Sequence, residues 1–423
     1  MKKLICLLSA LCLLIGNVEA KKKGRAKRVS TTHVQKKSKS DKTEEFISAK
    51  QAILIDCETG KELYGLNADE VCAPSSMTKL MTIYILFSEI AKKHIKLQDE
   101  FQVSELAQQQ EGSRSFFKAG TMAKVEDLIR SIIVHSGNDA CVIVAEGIFG
   151  DVAVFVKEMN EFAQAFGLEN THFMNPMGLP DAEHYSTARD LAKIARKLII
   201  DFPQFYHYFS EKEFTVNGIS QPNRNKLIGN SLGVDGLKTG HTNAGGFGIV
   251  VSAAQKGRRL ISVVNGCKGT APRAKDASKL LAMGFREFVS CKIAEAGNRI
   301  SEAKVWLGKK PTIGVCTSET ITVSIPRKLR DSVKVEAKIN EPIEAPIKLG
   351  DKVGELVYQY EGYVSKKYPL FATESVEKLE WWERAIFTIK TLFLGNSADS
   401  HNSNQQGSPQ APQTDQLRYP ATK

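Results

Sequence analysis

Ser76 and Lys79 stand three residues apart in Ala73-Pro-Ser-Ser-Met-Thr-Lys-Leu-Met-Thr82. At i and i+3 of a helix two side chains share a face, so a lysine amine there can take the serine's proton and make the hydroxyl a nucleophile. A serine at a helix start also has backbone N–H groups and the positive end of the helix dipole aimed at any anion that forms. The same spacing recurs at Ser115/Lys118, Ser301/Lys304 and Ser375/Lys378, so spacing alone singles out no copy. Context does. Thr78 to Ile90 is apolar nearly all round, which marks a buried helix, and a lysine at its head needs a partner or a route to water. On its own the pair also reads as a capping serine beside a snorkelling lysine.

Two further segments supply what the pair lacks. Val134-His-Ser-Gly-Asn-Asp-Ala140 holds Ser136-x-Asn138 between two helical patterns, and Val234-Asp-Gly-Leu-Lys-Thr-Gly-His-Thr242 holds the single Lys-Thr-Gly of the chain. Taken separately, Ser136 reads as a helix cap and Lys238 as a solvated lysine on an edge strand. Ser-x-Asn also occurs at Ser400-His-Asn402. The ordered set is more specific: Ser-x-x-Lys, Ser-x-Asn 60 residues on, and Lys-Thr-Gly 102 residues after that.

The elements that must position these residues fall into three stretches. Ala52–Asp56 and Glu62–Leu66 alternate as paired strands about a Glu58-Thr-Gly-Lys61 turn. Helical patterns follow: the Ser76 helix, Lys124–Val134, Ala140–Ala165 and Thr187–Ile200. Strands return at Gly248–Ala254 and Arg259–Asn265, with a helix over Ala274–Val289. Strands enclosing a helical middle predict an α/β (α+β) domain over residues 46–290, with a sheet, helices on its faces and a helical lobe. Period-two alternation over Thr320–Ile325 and Ser332–Ile339, punctuated by Pro and Gly, predicts a small all-β sandwich over 291–375. Leu379, Trp382, Ile386, Ile389 and Phe393 fall at helical spacing and predict an amphipathic helix over 376–395 that lies in a membrane surface. Residues 396–423 are polar and predict a disordered tail.

The 423-residue chain carries a formal charge of +11, but residues 21–43 alone hold ten Lys or Arg against Asp41. The remainder is close to neutral, so the basicity belongs to a linker over 21–45 and does not argue for nucleic-acid binding. Residues 1–20 read as a signal peptide: Lys2 and Lys3, an apolar run Leu4–Ile15 too short to span a bilayer, then Val18-Glu-Ala20. The expectation is an exported, periplasmic protein attached peripherally to the outer face of the cytoplasmic membrane. Of the cysteines beyond the leader, Cys57 and Cys72 are the nearest candidate pair in sequence. No Cys/His spacing points to a metal, and no cofactor is expected.

The ordered triplet is the pattern of class A β-lactamases and penicillin-binding proteins. From about 46 to 394 the chain resembles the low-molecular-mass penicillin-binding proteins, the serine-type D-alanyl-D-alanine carboxypeptidases. Pro74–Thr82, Ser136-Gly-Asn-Asp-Ala140, Asn223-Arg-Asn225 and Val234–Thr242 carry the likeness, together with the order of the parts. The resemblance implies a β-lactamase/transpeptidase-like catalytic fold and release of the terminal D-alanine of peptidoglycan stem peptides through an ester on Ser76. It implies Lys79 as the base, Ser136 as the relay to the leaving amine, and Asn138 on the substrate amide. The N–H groups of Ser76 and His241 would form the oxyanion hole, within the Lys238-Thr239-Gly240-His241-Thr242 strand. Lys238, Thr239, Thr242 and Arg273 would hold the terminal carboxylate. β-Lactam antibiotics would acylate the same serine. Asn175-Pro-Met-Gly-Leu179 departs from the pattern, with Met177 where many relatives carry His; loss of a loop hydrogen bond points to an effect on deacylation. Alternatives are an endopeptidase on D-Ala cross-links, a serine β-lactamase, for which the Glu-x-x-Leu-Asn segment is missing, and an inactive wall-binding protein. His172 and His184 have no spacing that would make a triad.

Overall fold

Gln51-Ala-Ile-Leu-Ile-Asp56 (β1) is buried at all six positions, as a strand covered on both faces must be. It pairs antiparallel with Glu62–Leu66 (β2) and with Arg258–Cys267, so that Leu54 faces Tyr64 on one side and Ser262 on the other. The structure is a computed structural model and describes residues 46–361, 363–364 and 366–386. With Val234–Thr242 as β3, Gly246–Gln255 as β4 and Arg258–Cys267 as β5, the sheet order is β2-β1-β5-β4-β3. The Lys-Thr-Gly strand is therefore an edge, and Lys238 pairs with Val250 while Gly240 pairs with Gly248.

Alternation along β1 sends Ile53 and Ile55 to one face and Ala52 and Leu54 to the other. The first face packs on Ala188–Asp201 (α4), and its core runs on into a helical lobe that holds Lys79–Ala91 (α1), Asn138–Phe149 (α2) and Val152–Ala165 (α3). The second packs on Thr270–Glu287 (α5) through Leu280 and Leu281. Every residue of α1 from Lys79 to Glu89 is buried, as its all-round apolar sequence requires.

Two helices differ from the periodicity reading. Ala140–Ala165 is not continuous: Gly150 takes φ +76° at the end of α2, and Asp151 restarts the chain by accepting from the N–H groups of Ala153 and Val154. The Lys124–Val134 helix is α-helical only over Val125–Arg130. It then widens into a π turn over Ser131–His135 that ends at Ser136, whose φ is +64°; such turns recur at functional sites.

The all-β part starts at Phe288, three residues earlier than the composition change suggested. Phe288–Ala294 pairs with Ile321–Pro326, and a second sheet is built around Lys352–Tyr360, Tyr368–Ala372, Thr312–Cys316 and Ser301–Trp306. Side chains of both enclose one core that includes Ile313, Val315, Val323, Ile325 and Leu356. Val376–Leu379 is extended, not helical: Val376 and Ile347 exchange both backbone hydrogen bonds, and Leu379 N–H donates to Leu307 O. The helix begins at Trp381. Residues 387–395 of the expected amphipathic helix, the tail 396–423, the signal peptide 1–20 and the basic linker 21–45 lie outside the described residues.

A buried carboxylate ties sheet to sandwich. Asp56 is fully buried, with Arg258 Nε at 2.9 Å and Ser290 Oγ at 3.1 Å. Arg258 also donates to Gly284 O and Phe288 O. Burial alone would raise the Asp56 carboxyl; the Thr59 N–H, the Ser324 hydroxyl and Arg258 hold it below its ordinary value. Cys57 and Cys72 are both free thiols, so the nearest-in-sequence pairing is not made.

Candidate active site

Pro74 opens a single 3-10 turn, Ser75–Thr78, that leads directly into α1. Ser76 is half-buried in that turn, and Lys79 heads the helix with no exposed surface. The Lys79 amine has three oxygen partners: Ser76 Oγ at 3.0 Å, Asn138 Oδ1 at 2.8 Å and the Met177 carbonyl at 2.8 Å. Asn138 cannot be turned over, because its Nδ2 donates to Glu111 O at 2.6 Å and a carbonyl only accepts. Its oxygen must therefore face Lys79.

Burial pushes the Lys79 ammonium down to about 8. A neutral amine keeps two N–H donors and one lone pair. Asn138 Oδ1 and Met177 O, as pure acceptors, claim the two donors, and the lone pair is left for the Ser76 hydroxyl. In the charged state the third proton goes to Ser76 Oγ instead. The geometry thus supports proton exchange along one 3.0 Å line, within the reach that general-base catalysis needs.

The Met177 carbonyl is delivered by a tight loop. Asn175 Oδ1 accepts from the N–H groups of Gly178 and Leu179, and Thr82 Oγ1 donates to Pro176 O at 2.5 Å. Gly178 has φ +84°, and a Cβ there would lie 1.9 Å from Ser75 O. Only glycine lets the loop pass this close to the nucleophile turn. The Met177 side chain packs into the core, while its main chain does the bonding. The bond to Lys79 is thus made by the main chain, and the Met177 side chain makes no hydrogen bond to the amine.

On the opposite wall Lys238 Nζ donates to Ser136 Oγ at 2.9 Å and to Thr239 O at 3.2 Å. Lys238 is almost fully buried. Burial first, and then the positive Lys79, push it well below its ordinary value. Burial and mutual repulsion oppose charging both lysines at once, and a carboxylate beside Lys238 would favour its cation. Ser136 owes its position to the π turn. His135, beside it, is fixed by Ser115 Oγ at Nδ1 and Phe214 O at Nε2, each at 2.9 Å. Thr239 and Gly240 continue the buried strand; a Cβ at Gly240 would come within 3.0 Å of Pro74 O. Thr242 Oγ1 bonds Ser75 Oγ at 2.9 Å. His241 is exposed and stacks on Phe247 with ring centroids 3.9 Å apart. Arg273 lies behind that ring, 6.0 Å from its centroid, with Nη1 donating to Gly248 O and a buried Nε that has no partner among the described residues.

Ser76, Lys79 and Asn138 thus form one hydrogen-bonded cluster, and Ser136 with Lys238 a second. Asn138 is engaged with Lys79 through its oxygen, a positioning duty that the spacing did not reveal. Asp139 was also missed. Its carboxylate accepts from Ser115, Phe117 and Ala140 N–H groups, pinning the segment that brings Glu111 O to Asn138. The available signal was an acid following Asn138 at a helix N-terminus. His184 is 2.8 Å from Thr78 Oγ1 and accepts a hydrogen bond from Met174 N–H at Nδ1. It has no bond to Ser76, and His172 Nδ1 contacts Glu183 O.

Gly178→Ala forces the Met177 carbonyl away from Lys79. Acylation of Ser76 by a β-lactam should slow by about tenfold or more, for a lost interaction of ~1.4 kcal/mol or above. An unchanged acylation rate, measured by stopped-flow with a reporter β-lactam, would show that the carbonyl is dispensable.

Residues 35–269 match the family model described as D-alanyl-D-alanine carboxypeptidase, Peptidase S11, and residues 288–378 match that of the penicillin-binding protein 5 C-terminal domain. The D-alanyl-D-alanine carboxypeptidase DacA of Haemophilus influenzae is 37% identical over 357 residues, covering 82% of this chain and 91% of that protein. The crystal structure of penicillin binding protein 5 from the same organism superposes with TM-score 0.75 at 38% identity, covering 78% of this chain and 98% of that one. Penicillin-Binding Protein D2 from Listeria monocytogenes, solved in a cefotaxime-bound form, gives TM-score 0.52 at 30% identity over 56% of this chain and 98% of its own. The fold is therefore a mixed α/β transpeptidase-like domain followed by a penicillin-binding-protein-5-type sandwich, and the chain belongs to the D-alanyl-D-alanine carboxypeptidase family.

Proposed function

We propose that the protein removes the terminal D-alanine from peptidoglycan stem peptides through an acyl-enzyme on Ser76, and that β-lactams acylate the same atom. The observation that carries this reading is the desolvated Lys79 amine, 3.0 Å from Ser76 Oγ and held by two further acceptors. Ser76 Oγ attacks the carbonyl between the two D-alanines as its proton passes to Lys79 Nζ. The C–O ester bond forms and the C–N bond breaks. Ser136 gives its proton to the departing amine and is resupplied from Lys238, 2.9 Å away. Water then attacks the ester carbonyl and the C–O bond to Ser76 breaks: Lys79 returns its proton to Ser76 Oγ, and the water's proton passes to Ser136 as Ser136 restores its own to Lys238.

The oxyanion would be met by the N–H groups of Ser76 and His241, each worth about 3 kcal/mol in the barrier. Thr239, Gly240 and Thr242 line the strand against which the peptide lies. Lys238 and Arg273 supply the positive field for its carboxylate. Arg273 acts from behind Phe247, so its contribution is electrostatic unless that ring moves. Asn138, with its oxygen on Lys79, has an Nδ2 group to share between Glu111 O and the substrate.

We also propose that the protein is exported and held at the outer face of the cytoplasmic membrane. The leader-like residues 1–20 support this, as do Trp381, Trp382 and Ile386, which are 74%, 51% and 47% exposed just beyond the sandwich. No helix among the described residues is long and apolar enough to cross a membrane.

Incubation with penicillin should leave a covalent adduct on the tryptic peptide containing Ser76, seen by mass spectrometry, and Ser76→Ala should abolish both adduct and D-alanine release. Release at the wild-type rate from Ser76→Ala would refute the assignment. An N-acetylated pentapeptide and a cross-linked dimer supplied separately distinguish carboxypeptidase from endopeptidase. At saturating β-lactam the acylation rate should climb about tenfold per pH unit below about pH 8 and level off above it, following the neutral Lys79 amine. A flat profile would remove Lys79 as the base. Truncation after Glu380 should move the protein from the membrane pellet to the soluble fraction; continued pelleting would refute the anchor.

A further inference from the structure

His135 carries no step of the chemistry above, yet it is fully buried and stands directly before Ser136. Ser136 holds a left-handed backbone, φ +64°, which a residue with a side chain keeps only where its neighbours over-determine it. Those neighbours come from two sides. On one side is the hairpin of Glu213–Val216 and Ile219–Pro222, whose Phe214 carbonyl lies 2.9 Å from His135 Nε2. The Phe214 ring also packs on the imidazole, with centroids 5.4 Å apart. On the other side is the loop that carries Ser115, its hydroxyl 2.9 Å from His135 Nδ1. A Cβ on Gly137 would come within 3.0 Å of that hydroxyl, so loop and turn are in close contact. His135 therefore ties both walls to the residue before Ser136.

The partners fix one protonation state. Phe214 O only accepts, so Nε2 carries a hydrogen and Nδ1 of the neutral ring is an acceptor. Two groups donate toward Nδ1: the Ser115 hydroxyl, and the Gln221 amide nitrogen at 3.4 Å. Gln221 cannot be turned over, because its nitrogen donates to Arg114 O at 2.9 Å and its oxygen accepts from Arg224 at 3.0 Å. A proton on Nδ1 would thus oppose the Gln221 N–H, and Ser115 could accept it only by redirecting its own hydrogen. The Ser115 hydroxyl is fully buried and has no other partner among the described residues. The charges agree with this geometry. Burial first, and also Arg224, oppose an imidazolium, while the Phe214 carbonyl and Asp139 at the head of α2 favour one; the balance lies below the ordinary histidine value. Lys79 on α1 is turned to Ser76, Lys238 on β3 to Ser136, and Arg130 to Glu126 and Glu211.

We propose that His135 is a positioning residue for Ser136: neutral and protonated at Nε2, it clamps the hairpin and the loop onto the left-handed turn, and a second proton on Nδ1 opens the clamp. The inference rests on the catalytic reading, in which Ser136 hands its proton to the departing amine. The consequence is a second acid limb. At saturating β-lactam the logarithm of the acylation rate should fall with slope one as Lys79 becomes charged, and more steeply once His135 does. That break lies below about pH 6.5, the ordinary histidine value. His135→Ala should slow acylation about tenfold at about pH 8, a part of the ~10²–10⁴ that a positioned proton donor contributes. His135→Gln can place an amide N–H at Phe214 O and takes up no charge, so it should recover most of that loss and show no second break. Nitrogen NMR shifts of the labelled imidazole read the tautomer in the wild-type protein, and near-UV circular dichroism checks the fold at each pH. The Nε2–H tautomer is expected. An Nδ1–H tautomer, a wild-type slope of one down to about pH 5, a second break that persists in His135→Gln, or an unslowed His135→Ala overturns the clamp and leaves the catalytic reading intact. Absence of a β-lactam adduct on Ser76 of the wild type overturns both.

Discussion

A lysine taken wholly out of water must either be met by acceptors or give up its proton, and Lys79 is built so that both hold. Three oxygens surround its amine, two of them unable to donate. Each comes from a different part of the chain: the nucleophile turn, the start of α2 and the 175–179 loop. The elements that look structural are arranged to keep those three oxygens in place. Asp139 pins the segment that orients Asn138, Gly178 lets the loop close, and the burial of Lys79 leaves the amine no exposed surface. The arrangement costs stability, since burying an ammonium is unfavourable even when it is hydrogen-bonded. That cost is what lowers the amine into the range where it can act as a base.

Lys238 is the second half of the same constraint. It is buried as deeply, and the charge of Lys79 depresses it further. Two buried amines whose charges oppose one another make the site favourable to a negative charge. A ligand bearing a carboxylate near a carbonyl would relieve this. A carboxylate placed beside Lys238 would favour its charged form.

Much of the site was legible because its parts are side chains with rare neighbours. Ser76 with Lys79, Ser136-x-Asn138 and Lys238-Thr-Gly240 are recognisable in order, and burial of Thr78–Ile90 could be read from its composition. The Met177 carbonyl was not legible. A backbone oxygen has no sequence signature, and the departure at 177 drew attention to the side chain instead. The division at Gly150 was overridden by continuous apolar periodicity on both sides, although Gly-Asp is a stop followed by a cap. The start of the last helix was misjudged because Val376 and Lys378 lie before the 3-and-4 pattern that begins at Leu379. Those residues bridge to Ile347 and Gly308 as strand partners.

The π turn at Ser131–His135 has a consequence for how this chain can change. It holds one residue more than an α-helical turn would, and its wider winding spreads that residue over nearly the same rotation, so what the extra residue adds is length along the axis and the exit into Ser136 at φ +64°. Loss of any single residue between Ile132 and His135 would yield a smoother helix. It would also draw Ser136 about 1.5 Å along the axis, the rise per residue of an α-helix, and remove the wide turn that leads into its left-handed backbone. With Ser136 Oγ 2.9 Å from Lys238 Nζ, the helix would gain regularity as the site lost that link.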